Sequence, residues 1–197
     1  MDAATNYHLR VMRPEELKAL YKNHIELDFP SAERPNLRAM HRHVAQGLQD
    51  FWLIADGEMD AGYAICARFG RAILVTLLSI YPERRGKGLG TRLLSLLKQQ
   101  YAGTGAILLE VEDPAGADIA EDRRIRERRI AFYMRSGYCF LPEIEHVSFG
   151  VPLLIMALPL ADNLAKIRAS VGDDLINIYH RILPESLWNR VLTRTRS

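Results

Sequence analysis

Cysteine is scarce in this chain: Cys66 and Cys139 are the only two in 197 residues. A domain of this length buries enough apolar surface to fold without staples, so a disulfide framework is excluded and two reduced packing cysteines are expected. No companion ligands at metal spacing accompany them, and no metal site is expected. Long hydrophobic runs are missing as well. No stretch approaches the ~20 consecutive apolar residues of a spanning helix, and the opening MDAATNYHLR lacks the basic-then-apolar order of a signal peptide. A cytoplasmic protein without membrane contact is the expectation. Charge of one sign is also in short supply: 26 Lys plus Arg face 24 Asp plus Glu, and a formal net charge of +2 does not argue for a polyanionic partner. Internal repeats and low-complexity tracts are not evident. What remains, 48 % hydrophobic and 25 % charged residues, is ordinary globular composition for one domain of usual size with an appendage.

The hydrophobic period organises the chain. Tyr7, Leu9 and Val11 alternate with polar residues as a short strand, and Pro14 opens a helical segment that Phe29-Pro30-Ser31 breaks. A second helix is predicted from about Asn36 to Gln49, with Leu37, Met40, Val44 and Leu48 on one face. His41 and His43 lie about 200° apart around that helix, so they cannot grip one ion and are read as solvated. Three strands follow, FWLIA, AGYAICARF and AILVTLLSI, joined by Asp56-Gly57-Glu58 and Gly70-Arg71 as an antiparallel meander. After a glycine-rich turn, Leu89, Leu93, Leu96, Leu97 and Tyr101 stripe a helix. AILLEVE is the next strand, a long helix runs from about Glu121 to Ser136, and YCFL and HVSFGVPLLIMALPL are the last two strands, with Pro152 marking an edge or a bulge. Residues 161 to 197 read as a helical tail starting at Asp173-Asp174, with Leu175, Ile178, Tyr179 and Ile182 on a docking face.

The turn carries chemistry. Gly86, Gly88 and Gly90 let backbone N–H groups approach an anion, the helix starting there adds its positive dipole end, and Arg84, Arg85 and Lys87 supply charge. A diphosphate fits that description. No GK[ST] follows at Walker spacing, and the third glycine of the dinucleotide fingerprint is missing, so neither of those loops is present.

Arg85-Gly86-Lys87-Gly88-Leu89-Gly90 resembles the [Q/R]-x-x-G-x-[G/A] turn of the GCN5-related N-acetyltransferases, the GNAT superfamily. The run from Arg129 through Phe132, Tyr133 and Gly137 to Tyr138 resembles the F-Y-x-x-x-G-[F/Y] helix end of the same family. Phe29-Pro30-Ser31-Ala32-Glu33-Arg34 with Leu109-Glu110-Val111-Glu112 is similar to a bacterial subgroup. The resemblance spans about residues 7 to 158. It implies an α+β GNAT fold: a central, mostly antiparallel twisted sheet of about seven strands flanked by about four helices, with 1–160 as the domain and 161–197 as a helical extension.

The activity so implied is transfer of an acetyl group from acetyl-CoA, the acyl-donor substrate, to an amine of a small molecule or peptide, directly and without a metal. Nucleic acid is not an expected partner, and the oligomeric expectation is monomer or homodimer. By resemblance, the N–H groups of Arg85, Gly86, Lys87, Gly88, Leu89, Gly90 and Thr91, with Arg84 nearby, bind the pyrophosphate. Backbone groups at Leu78, Ser79 and Ile80 line the pantetheine and polarise the thioester. Tyr133 protonates the leaving thiolate, a task for a phenol that is neutral at pH 7.

Many relatives carry a carboxylate on the strand before the turn; here that strand has none. Glu110 and Glu112, two apart on a strand and so on one face, are the candidates to bind a cationic acceptor or take its proton. Exposed, solvated carboxylates are the alternative. The run Glu121 to Arg129, five arginines against three acids, reads as a salt-bridged helix face, with an arginine within reach of coenzyme A phosphates. A non-catalytic acyl-CoA-binding module acting through a protein partner is the competing reading.

Overall fold

Secondary structure and packing come from a computed structural model that describes residues 7–31 and 34–195. The first six residues, and Ala32 and Glu33 of the subgroup segment, lie outside the described residues. Contacts divide the chain into two units, residues 1–67 with 76–100 and residues 68–75 with 101–197.

In the first unit, β1 (Tyr7–Val11) pairs antiparallel with β2 (Gln49–Asp56), which pairs antiparallel with β3 (Met59–Phe69) through the turn at Gly57. The second half of β4 (Ala72–Ile80) completes the predicted meander. The helical segment opened by Pro14 comprises α1 (Leu17–Leu20), a π turn (Tyr21–Ile25) and α2 (Glu26–Asp28). Leu17, Leu20, Tyr21 and Ile25 share its buried face and pack with Met40, Phe51, Leu53 and Tyr63. The segment stops where Phe29 turns extended (φ −131°, ψ 134°), the conformation that the following Pro30 imposes on its predecessor.

In α3 (Leu37–Ala45), Asn36 caps the N-terminus by accepting from the Ala39 N–H at 2.9 Å. His41 is exposed, but His43 is not solvated as expected: it is 1 % exposed, and its Nδ1 lies 2.6 Å from Gln49 Oε1. A helix face that includes Met40 and His43 turns inward, and the imidazole meets its need for a partner within the core. α4 (Leu89–Gln100) buries Leu89, Leu93, Leu94 and Leu97.

In the second unit, the first residues of β4 pair parallel with β5 (Ala106–Glu112) through three positions, Ala72↔Ala106 to Leu74↔Leu108. β5 runs antiparallel to β8 (Val151–Pro159) over its whole length. The other edge of β8 takes β6 (Cys139–Phe140) and β7 (Ile144–Ser148). The apolar run read as one strand is therefore a hairpin, folded at Phe149 (φ +50°) and Gly150 (φ +86°), a two-residue turn with both φ positive. Pro152 sits in the first positions of β8, before the β5 ladder begins at Leu153. α5 (Ala120–Arg135) ends before Gly137, whose φ of +92° stops the helix.

The chain after Pro159 differs from a simple helical tail. α6 (Leu164–Ile182) starts at an Asn163 cap rather than at Asp173-Asp174, and Val191–Thr195 form β9, an added strand on β7. Nine strands and six α-helices are thus present among the described residues, more than expected. The excess comes from the hairpin, β9 and the π turn that splits one helical segment in two.

The expected face of α6 is buried: Leu175 and Ile178 are 0 % exposed, and Tyr179 and Ile182 nearly so. Leu175→Ala should cost about 2–5 kcal/mol, the usual effect of emptying a packed leucine site. Urea unfolding should show a lower midpoint at unchanged slope. An unchanged midpoint would mean that α6 adds nothing to the stability of its unit.

Candidate functional site

The turn is built from the end of β4. Tyr81 N–H bonds the Ala61 carbonyl at 2.9 Å, a 3-10 turn over Pro82–Arg84 follows, and the backbone reaches Gly86 (φ +79°) and Gly88 (φ +74°) in left-handed conformations that favour glycine. A Cβ added to either glycine meets nothing within 4 Å, so the turn presents bare backbone. α4 then begins, with the Gly88 carbonyl accepting from the Arg92 N–H at 3.1 Å. The first N–H groups of a helix have no partner within it, and they carry its positive dipole end. Leu89 is buried and anchors this start, while Lys87 and Thr91 are exposed beside Gly90. The turn thus sets the bare backbone of Gly86 and Gly88 and the exposed Lys87 beside the start of α4.

The two arginines of the turn are directed elsewhere. Arg85 Nε donates to the Ile80 carbonyl at 2.8 Å, and its Nη2 reaches Asp28 Oδ1 at 3.2 Å and Ser79 Oγ at 3.4 Å. Arg84 Nη2 lies 3.7 Å from Met59 Sδ. Leu78 and Ser79 are half-buried and Ile80 is buried. The backbone of β3 closes on that strand end at Gly62, where a Cβ would sit 2.5 Å from the Ser79 carbonyl oxygen; only glycine fits.

The second unit holds the other predicted groups. Tyr133, on α5, is 9 % exposed and packs tilted against Phe132 and edge-on to Tyr138. Burial pushes its phenol up from the ordinary value, against a smaller opposing effect of Arg129, so it holds its proton at neutral pH. Glu110 and Glu112 share a face of β5, as the spacing implies, and each has partners there; Glu110 is mostly buried and Glu112 is partly exposed. Arg126 lies 2.8 Å and Arg129 3.3 Å from the Glu112 carboxylate. Tyr179 of α6 donates to Glu110 at 2.7–2.8 Å. His146 Nε2 lies 2.7 Å from Glu110 Oε1, at ion-pair distance without hydrogen-bond alignment, and its Nδ1 is 2.8 Å from Thr193 Oγ1. Burial first, then the Glu110 charge, raises the Tyr179 phenol far above its usual range and keeps it a donor. The arginine run divides: Arg126 and Arg129 hold Glu112, while Arg124 and Arg128 face Glu121.

Asp28, Tyr63, His146 and Thr193 are polar residues of these clusters that the sequence does not single out, and Tyr179 is read there only as part of an apolar docking face. Tyr63 donates to Asp28 Oδ2 at 2.9 Å from a position 35 residues away, and Tyr179 reaches Glu110 across 69. Only folding brings such partners together. Among the described residues, no group of three His, Cys, Asp or Glu is placed to hold a metal, and no helix is long and apolar enough to cross a membrane.

Residues 47–139 match the family model described as an acetyltransferase (GNAT) domain. A GNAT-family protein of Bacteroides thetaiotaomicron shares the fold at a TM-score of 0.68 and 19 % identity, with 83 % of this chain and 93 % of that one covered. Spermidine N-acetyltransferase of Vibrio cholerae, described as dodecameric, gives 0.58 and 15 % identity over 81 % and 97 %. A Salmonella typhimurium protein solved with acetyl-CoA gives 0.57 and 18 % over 80 % and 96 %. No curated protein matches the chain as a sequence. At these identities the structural likeness establishes a GNAT fold, and the segment from 47 to 139 is similar to the GNAT acetyltransferase domain.

Proposed function

We propose that the protein is an N-acetyltransferase that moves the acetyl group of acetyl-CoA to an amine of a small molecule or peptide, by direct attack and without a covalent enzyme intermediate. The observation that carries this reading is the bare turn at Gly86 and Gly88, open above its backbone and running into the start of α4. Backbone N–H groups from Gly86 to Thr91 take the pyrophosphate, the Arg85 N–H being held by the Pro82 carbonyl at 3.3 Å, with Lys87 as the exposed cation. Arg85 holds the turn to the strand end instead of reaching outward. Leu78, Ser79 and Ile80 line the pantetheine, and Tyr133 supplies the proton to the leaving sulfur. Glu110 and Glu112, each held by partners, shape the acceptor side. The protein is read as cytoplasmic, a monomer or homodimer, with no nucleic-acid or membrane partner.

One observation favours a non-catalytic acyl-CoA-binding module instead: β4 has no acid, and both β5 carboxylates are engaged. One experiment separates the two. Acetyl-CoA at 100 times its dissociation constant should stabilise the protein by about 2.7 kcal/mol in thermal unfolding. The protein should then release free thiol from acetyl-CoA with at least one amine of a panel. Spermidine and kanamycin, named for two proteins of the same fold, head that panel, followed by peptides with free N-termini. Stabilisation without thiol release selects the binding module. Absence of stabilisation removes both.

A further inference from the structure

β4 contains no carboxylate, yet one is delivered to its end from the helical segment of the same unit. Asp28 closes α2, and its side chain is 11 % exposed. Oδ2 accepts from Tyr63 at 2.9 Å, and Oδ1 pairs with Arg85 Nη2 at 3.2 Å. The same guanidinium holds the Ile80 carbonyl and Ser79 Oγ, so one side chain spans the carboxylate and the strand end. A carboxylate offers about four lone-pair sites, and these contacts use two. Of the other carboxylates nearby, Glu16 and Asp60 clamp Arg10 and Glu26 pairs with Lys22 and Arg34, while the exposed Glu83 acts on Tyr81 from the turn after β4.

We propose that Asp28 is the general base of the transfer, receiving the acceptor's ammonium and taking its proton. The inference rests on the acetyltransferase reading given above. Asp28 takes one proton from the ammonium and later releases it to solvent. The freed nitrogen lone pair forms the C–N bond to the carbonyl carbon, the C–S bond breaks with its pair on sulfur, and the second nitrogen proton ends on the thiol. Tyr63 is a positioning residue. Burial and the neighbouring Asp28 raise its phenol, so it stays a donor and holds the carboxylate in place. The other groups around Asp28 are Arg85 of the turn, Tyr81 after β4, which stacks on His24 at 3.6 Å, and Glu26 with Arg34 on the helical side.

The test is the pH dependence of kcat/KM with acetyl-CoA and the best amine of the panel. The wild type should hold a plateau across the neutral range. Asp28→Asn keeps an oxygen for Arg85 but cannot take a proton. It should be slower by about 10² at neutral pH and should lose the plateau, climbing about tenfold per pH unit as solvent deprotonates the amine. Tyr63→Phe removes the hydroxyl that holds Oδ2, so kcat should fall while the KM for acetyl-CoA is kept. Asp28→Glu should restore a plateau. If Asp28→Asn keeps the wild-type profile, or loses rate at every pH alike with a raised KM for acetyl-CoA, Asp28 only anchors the turn and the proposal falls. A wild type without acetyl-CoA-dependent thiol release fails one step earlier and takes the parent reading with it.

Discussion

Replacing Gly88 with valine should abolish stabilisation by acetyl-CoA while leaving the unliganded protein folded. Two effects meet at this position. The backbone stands at φ +74°, where a side chain, and above all a β-branched one, costs about 1–2 kcal/mol. That loss is affordable for a folded domain. The second effect is larger for the ligand: the space above Gly88 is empty to 4 Å, and valine methyl groups would occupy the approach to the N–H groups at the start of α4. For a chain of this size, a linkage term of about 2.7 kcal/mol corresponds to roughly 5–11 °C in Tm, and that increment should vanish. Gly88→Asn separates the causes, because asparagine tolerates the left-handed conformation yet still fills the space. It should unfold close to the wild-type temperature without ligand and lose the increment just the same. If either variant retains the full increment, the pyrophosphate lies elsewhere.

The residues that sequence alone made legible are those whose chemistry is local. The turn from Arg85 to Gly90 takes its shape from its own glycines, so its spacing is readable in the sequence, and the stop at Gly137 likewise needs only its neighbours. Glu110 and Glu112 were placed on one face by strand periodicity, and they do share it. Their partners were not legible, since Tyr179, His146, Arg126 and Arg129 come from other elements. The same holds for Asp28: nothing in the sequence connects it to Tyr63 and Arg85, which packing brings to it. The π turn over Tyr21–Ile25 has no separate periodic signature in so short a segment, although it moves Asp28 relative to a regular helix. β9 escaped because Val191–Thr195 is short and mostly polar, with Val191 alone buried. Its identity as a strand depends on the open edge of β7.

That edge changes the standing of the C-terminal segment. β9 brings Thr193 to His146, and α6 brings Tyr179 to Glu110, so the segment both lengthens the sheet of its unit and fixes a carboxylate on β5. A buried carboxylate needs a donor, and here the Tyr179 hydroxyl of α6 provides it. An extension that only covered apolar surface would leave Glu110 unsatisfied.

Tyr133→Phe tests the acid. The ring and its contacts with Phe132 and Tyr138 persist, and a residue 9 % exposed loses one oxygen, so folding and acetyl-CoA stabilisation should be nearly unchanged. Turnover should fall by roughly 10²–10⁴, the usual worth of a positioned acid. The environment supports that role, because burial holds the phenol above its ordinary value and hence protonated across the neutral range. It also sets a condition on the result. An acid with a raised pKa donates well only to a partner that becomes strongly basic in the transition state, as a departing thiolate does when water is excluded. The defect should therefore appear in kcat and in kcat/KM alike, with little change in the KM for acetyl-CoA, the pattern of an interaction made in the transition state. It should also shrink for an acyl donor whose leaving thiol is more acidic, since that sulfur departs without a proton. Full turnover in Tyr133→Phe where chemistry limits the rate would leave Tyr133 as a packing residue and assign the proton to water.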